Sequence, residues 1–207
     1  MDIPAVFATY RNGEVLAGSA ELSDGSFSFP FGTQPLSDII PRADERLPVV
    51  VTDVKGFNGK SLDDRLLKNL KVPGSDIWYM TYIRDANDVL DSFMGNAEKI
   101  LIPYHTVRDR SVLCDAFELS DNCIPVVFSS LRQSKKSRND IDIMRALDNI
   151  SSIGFRSMVL FDTDGSVTEE KWSEVLEKHG NTIPFDIIRN PGRSYAGSDI
   201  VISGILC

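Results

Sequence analysis

Between Leu47 and Cys207 the chain passes seven times through a short apolar run and breaks each time into polar residues. The runs cover residues 49–51, 77–83, 100–102, 124–128, 158–161, 185–188 and 200–202. Their tips include Thr52-Asp53-Val54-Lys55-Gly56, Arg84-Asp85, Tyr104-His105-Thr106, Ser129-Ser130, Asp162-Thr163-Asp164-Gly165, Arg189-Asn190 and Ser203-Gly204. Apolar runs alternating with helical patterns mark parallel strands buried on both faces. The polar tips of such strands collect on one side of the molecule.

Helical stretches lie between the runs, at residues 61–70, 85–94, 108–119, 139–153 and 168–178, with apolar residues three or four apart, as in Val89-Leu90-Phe93 and Ile141-Met144-Leu147. Ser61 with Asp64, and Thr168 with Glu169 and Glu170, read as helix starts. Upstream, residues 6–9 and 15–17 flank Asn12-Gly13, a hairpin signal. Residues 18–32 read as a surface loop with room for a second hairpin around Asp24-Gly25, and residues 36–43 as a short helix broken by Pro41. Each later helix is a right-handed crossover, and with residues 6–9 the strand count reaches the eight of a TIM (β/α)8 barrel.

The expected fold is therefore a single α/β domain over residues 1–207, a TIM barrel trimmed at its end. Pro191, Gly192 and Gly197 leave little room for helix 7, and the last strand runs almost to Cys207, so helix 8 is expected to be missing. Two strands would then expose an apolar outer face, from which a homo-oligomer through strands 7 and 8 is expected.

A formal net charge of −8 disfavours nucleic acid and anionic membranes as partners. No apolar run approaches a membrane span and no leader pattern opens the chain, so a cytoplasmic protein is expected. Cys114, Cys123 and Cys207 have neither disulfide nor zinc spacing, and neither a metal nor a cofactor is expected. His179 suits a helix C-terminus.

Several motifs carry a resemblance. Ile3-Pro4-Ala5-Val6 followed by Asn12-Gly13-Glu14-Val15-Leu16, the strand end Val50-Val51-Thr52-Asp53-Val54-Lys55-Gly56, Ile83-Arg84-Asp85 before Asp88-Val89, and Leu160-Phe161-Asp162-Thr163-Asp164-Gly165-Ser166 occur in order along almost the whole chain. Together they resemble the HisA/HisF-like barrels of histidine biosynthesis, closest to the ProFAR isomerase branch. That resemblance implies an aldose-to-ketose rearrangement by two carboxylates, one acid and one base. Asp162 matches the sixth-strand acid, whereas Thr9 stands near the first-strand aspartate and Ser129 or Ser130 at the fifth-strand carboxylate. The family's glycine-rich phosphate grips are replaced by Met80-Thr81-Tyr82, Pro103-Tyr104-His105-Thr106 and Arg189-Asn190-Pro191-Gly192, leaving Ser203-Gly204 as a remnant.

The candidate catalytic residues are Asp162, Asp53 and His105. Thr9, Lys55, Arg84, Ser130, Asp164, Arg189, Ser203 and Gly204 are the candidate binding residues for a small anionic metabolite. Each has a structural alternative: Asp162 and Asp164 as a turn and helix cap, Asp53 as a backbone-bonding carboxylate, Lys55 as a solvated lysine. The basic run Arg132-Gln133-Ser134-Lys135-Lys136-Ser137-Arg138 reads as a phosphate clamp, a lid or a solvated loop. Two functions follow: an isomerase or lyase acting on a phosphorylated sugar, or a non-catalytic paralogue serving as a metabolite sensor or assembly subunit.

Overall fold

A computed structural model describes residues 1–23, 25–40, 48–72, 74–107, 109–130, 142–186, 195 and 198–204. The apolar runs become parallel strands: β1 (Asp2–Arg11), β6 (Val49–Asp53), β7 (Ile77–Met80), β8 (Lys99–Pro103), β9 (Cys123–Phe128), β10 (Met158–Asp162), β11 (Thr182–Asp186) and β12 (Val201–Gly204). They pair in that order, and β12 closes on β1 through Asp2↔Val201 to Ala5↔Gly204. The result is a closed eight-stranded parallel barrel with seven helices among the described residues, a trimmed TIM barrel as the strand count predicts. Past the barrel rim β1 continues into the expected Asn12-Gly13 hairpin with β2 (Glu14–Gly18), which β5 (Gln34–Pro35) extends.

The helices are α1 (Leu36–Ile39), α2 (Val54–Gly59), α3 (Asp64–Asn69), α4 (Ala86–Met94), α5 (Arg110–Leu119), α6 (Ile143–Ser151) and α7 (Glu169–Lys178). Side-chain caps set most of their starts. Asp85 accepts from the Asn87 and Asp88 N–H groups, and Thr168 from that of Lys171. Asp63, not Ser61, caps α3. The sequence contains no pattern for α2, because Gly56, Asn58 and Gly59 are poor helix formers.

Alternation along the strands sorts the core into two layers. Val49, Val51, Ile100, Ile102, Val127 and Leu160 pack outward against Leu66, Val89, Leu113, Leu147 and Val175 of the helices. Ile3, Phe7, Val50, Met80, Phe128, Phe161, Phe185 and Ile202 point the other way and fill the lumen. The lumen is thus a phenylalanine-rich plug.

Residues 18–32 depart from the expected surface loop. β3 (Glu21–Ser23) and β4 (Ser26–Ser28) form the small hairpin, but it lies over the lumen with Phe27 only 3% exposed. The Phe27 ring sits 5.2 Å from both Phe7 and Phe57, and the Asn58 amide pairs with the Phe27 backbone in both directions at 2.8 Å. A buried aromatic at the centre of β4 outweighs the polar composition of its flanks.

Between β11 and β12 no helix occurs among the described residues. Tyr195, described between these strands, packs its ring edge-on against Trp172 of α7 at 5.1 Å, and its hydroxyl donates to Asp186 at 2.6 Å. The outward residues of β11, Thr182, Pro184 and Asp186, are all buried within the chain. The apolar face from which an oligomer was expected is therefore not found on β11. No described helix is long and apolar enough to cross a membrane.

Candidate functional site

Three aspartates end barrel strands: Asp53 on β6, Asp162 on β10 and Asp186 on β11, each at most 3% exposed. In the closed strand order β6 and β10 are separated by three strands on either side, so Asp53 and Asp162 stand across the barrel from one another. Both also follow outward-facing residues at the two-residue spacing, Val51 and Leu160, and so turn toward the helices rather than the lumen.

Asp53 is held by its neighbours. Its Oδ1 accepts the Gly56 N–H at 2.7 Å, and its Oδ2 accepts the Asp63 N–H at 3.1 Å and the Thr81 hydroxyl at 2.8 Å. Burial nevertheless pushes the carboxyl above its usual range, the three donors drawing it partly back. A glycine is required at position 56, since a Cβ there would lie 2.0 Å from Asp53 Oδ2 and 2.8 Å from the Ser61 carbonyl oxygen. Asp53 thus ties the start of α2, the start of α3 and the end of β7 together.

Asp162 plays a similar part. It accepts the Ser129 hydroxyl at 3.1 Å and the Val167 N–H at 3.3 Å, while Ser129 Oγ accepts the Thr163 N–H. Ser130 receives the Thr163 hydroxyl on its carbonyl oxygen, and Asp164 Oδ1 accepts the Ser166 N–H. These contacts fold residues 162–167 into a compact turn leading into α7. Asp186, beside Asp162 in strand register, escapes sequence reasoning because it sits inside the run Phe185-Asp186-Ile187-Ile188 and looks interior rather than terminal.

The two described candidate cations, Lys55 and Arg84, are paired. Lys55 bonds Asp63 at 3.1 Å and is itself 56% exposed, a solvated lysine rather than a buried amine. Arg84 forks onto Asp88 at 3.0 and 2.8 Å, with its backbone N–H on the same carboxylate. Burial alone would raise the Asp88 carboxyl, but Arg84 outweighs it and holds the group below the usual range. Thr9 lies past the rim in the β1–β2 hairpin, opposite Leu16. Ser203, half-buried, lies beside Asp186, and Gly204 pairs with Ala5. Arg189 and the run from Arg132 to Arg138 lie outside the described residues.

His105 has a different setting. Its ring packs 4.5 Å from Phe128 and stacks near Phe57 at 6.3 Å, and its buried Nδ1 has no hydrogen-bond partner. Burial lowers its pKa to about 4, so the imidazole is neutral at pH 7. Thr52, lumen-facing beside Phe7 and Met80 in strand register, also has a buried hydroxyl without a partner. A cleft of about 260 Å³ lined by Tyr104, Val107, Leu113 and Asn149 lies outside the mouth, between α5 and α6. No group of three or more His, Cys, Asp or Glu among the described residues could hold a metal ion. Cys123 is buried on β9, with its thiol pushed up to about 12, and Cys207 lies outside the described residues.

The partly buried imidazole of His105 makes stability acid-sensitive. An unfolded histidine titrates near 6.5, so between about pH 6.5 and 4 the unfolded chain binds a proton that the folded chain refuses. Its contribution is fully present above pH 6.5 and is lost on acidification, by about 2 kcal/mol at pH 5, levelling off below about pH 4. The raised carboxyl of Asp53 acts in the opposite sense in acid, and is common to wild type and a His105→Phe variant. Urea unfolding at pH 7 and pH 5 should therefore show a larger acid loss in wild type than in His105→Phe; equal losses would refute the assignment.

No protein-family model matches the chain, and no curated protein matches it either. Of what the family resemblance implies, the barrel is present in the structure. The histidine-biosynthesis connection rests on the sequence motifs alone.

Proposed function

We propose that the chain is a non-catalytic relative of the histidine-biosynthesis barrels, serving as a binding or assembly subunit rather than as an isomerase or lyase. The observation that carries this proposal is the placement of the strand-end aspartates. All three are buried, outward-facing and hydrogen-bonded to the elements beside them. General acid–base chemistry requires a titratable group within reach of the reacting proton, and carboxylates turned to the helices lack that reach. An anionic ligand also gains little support from cations already paired with Asp63 and Asp88. A catalytic role would have to work through His105.

The test is turnover. Purified protein at micromolar concentration is expected to convert neither ProFAR nor any member of a sugar-phosphate panel above the uncatalysed rate. Conversion that disappears in Asp162→Asn, with the fold retained, would overturn the proposal. Light scattering at the same concentration reports whether assembly involves a second copy of this chain.

A further inference from the structure

The barrel mouth combines three observations: orphaned polar atoms, aromatic walls and a separable cover. Thr52 Oγ1 and His105 Nδ1 are buried without hydrogen-bond partners, although the great majority of such groups in folded proteins are satisfied. The walls around them are rings: Phe7 beside Thr52, and Phe57 and Phe128 against His105, with Tyr82 edge-on to Phe57 at 6.5 Å. The cover is a hairpin of two three-residue strands that forms a sheet of its own, separate from the barrel sheet. Asn58 latches that cover by its paired bonds to the Phe27 backbone.

We propose that the mouth is a binding site for a neutral, planar aromatic molecule carrying one hydroxyl or ring N–H, and that Phe27 is its built-in occupant, displaced when the hairpin lifts. Such a ligand would replace the Phe27 ring between Phe7 and Phe57 and give its polar group to His105 or Thr52. A neutral imidazole can donate or accept at Nδ1, and a threonine hydroxyl can do both, so a phenol or an indole is matched. Apolar walls disfavour a charged ligand, because its desolvation would go uncompensated. Short isolated hairpins are marginally stable by themselves, which makes this segment the least costly part of the mouth to move. The inference rests on reading the mouth as a binding site rather than a reaction centre.

Calorimetric titration with phenol, indole and benzene at pH 7 tests it, using wild type, Asn58→Ala and Phe27→Ala. Both variants should bind phenol and indole at least about tenfold more tightly than wild type, as expected when an internal competitor is unlatched or removed. Adding His105→Phe to Phe27→Ala should abolish a roughly tenfold preference for phenol over benzene, the worth of one hydrogen bond. Should either variant fail to fold, amide exchange in wild type remains decisive: phenol should speed exchange of the Phe27 N–H, which bonds Asn58. Affinities no tighter than wild type in folded variants, equal binding of benzene and phenol, or unchanged Phe27 exchange would each overturn the inference. Sugar-phosphate turnover by wild type would sink the non-catalytic reading while leaving ring binding standing, so the two failures are distinguishable.

Discussion

Replacing Phe161 with alanine is expected to destabilise the protein by about 4 kcal/mol, within the usual range of 3–5 for a buried phenylalanine. Phe161 is fully buried at the centre of the lumen. Its ring stacks on Phe185 at 4.0 Å, meets Phe128 edge-on at 5.0 Å and lies 6.5 Å from Phe7. Strand register places Phe128 and Phe185 directly beside it, so the three rings form one band across β9, β10 and β11. Truncation loses transfer energy, ring–ring contact and cavity energy together, since a barrel closed by backbone bonds cannot collapse around the gap. Urea unfolding should show a lower midpoint at unchanged slope. Phe31→Ala is the control: Phe31 is 85% exposed, and its loss should change stability by no more than about 0.5 kcal/mol.

The barrel was legible because its evidence is periodic. Continuous runs such as Val49-Val50-Val51 and Met158-Val159-Leu160-Phe161 can be buried only with both faces covered, and the intervening helices supply the cover. Caps were legible where a side chain has a single role, as at Thr168. The site was less so. A polar residue at a strand end has the same sequence appearance whether it faces the lumen or the helices, and a one-residue difference in parity decides which. Asp53 and Asp162 fall on the helix side by that parity. Asp186 lay hidden inside an apolar run, and Phe27 lay inside a polar loop whose burial depends on contacts with Phe7 and Phe57 far along the chain. His105 was identified by residue type, but the rings that make it neutral come from β9 and α2.

The strand-end aspartates tie the barrel to the elements around it, Asp53 most of all. Removing its side chain leaves the Gly56 and Asp63 N–H groups and the Thr81 hydroxyl unpaired in a site that excludes solvent. Each buried orphan costs about 1–3 kcal/mol. Relief of a buried carboxyl that burial already disfavours returns part of that sum. The expected net loss for Asp53→Ala is about 3 kcal/mol, with α2 and α3 loosened at their starts. A carboxylate kept for chemistry behaves differently, because functional groups are commonly held at some expense of stability and their removal is neutral or stabilising. The deciding measurement is the urea-unfolding free energy of Asp53→Ala beside wild type at pH 7. A loss near 3 kcal/mol is the result expected of a structural carboxylate; unchanged or increased stability would contradict the account.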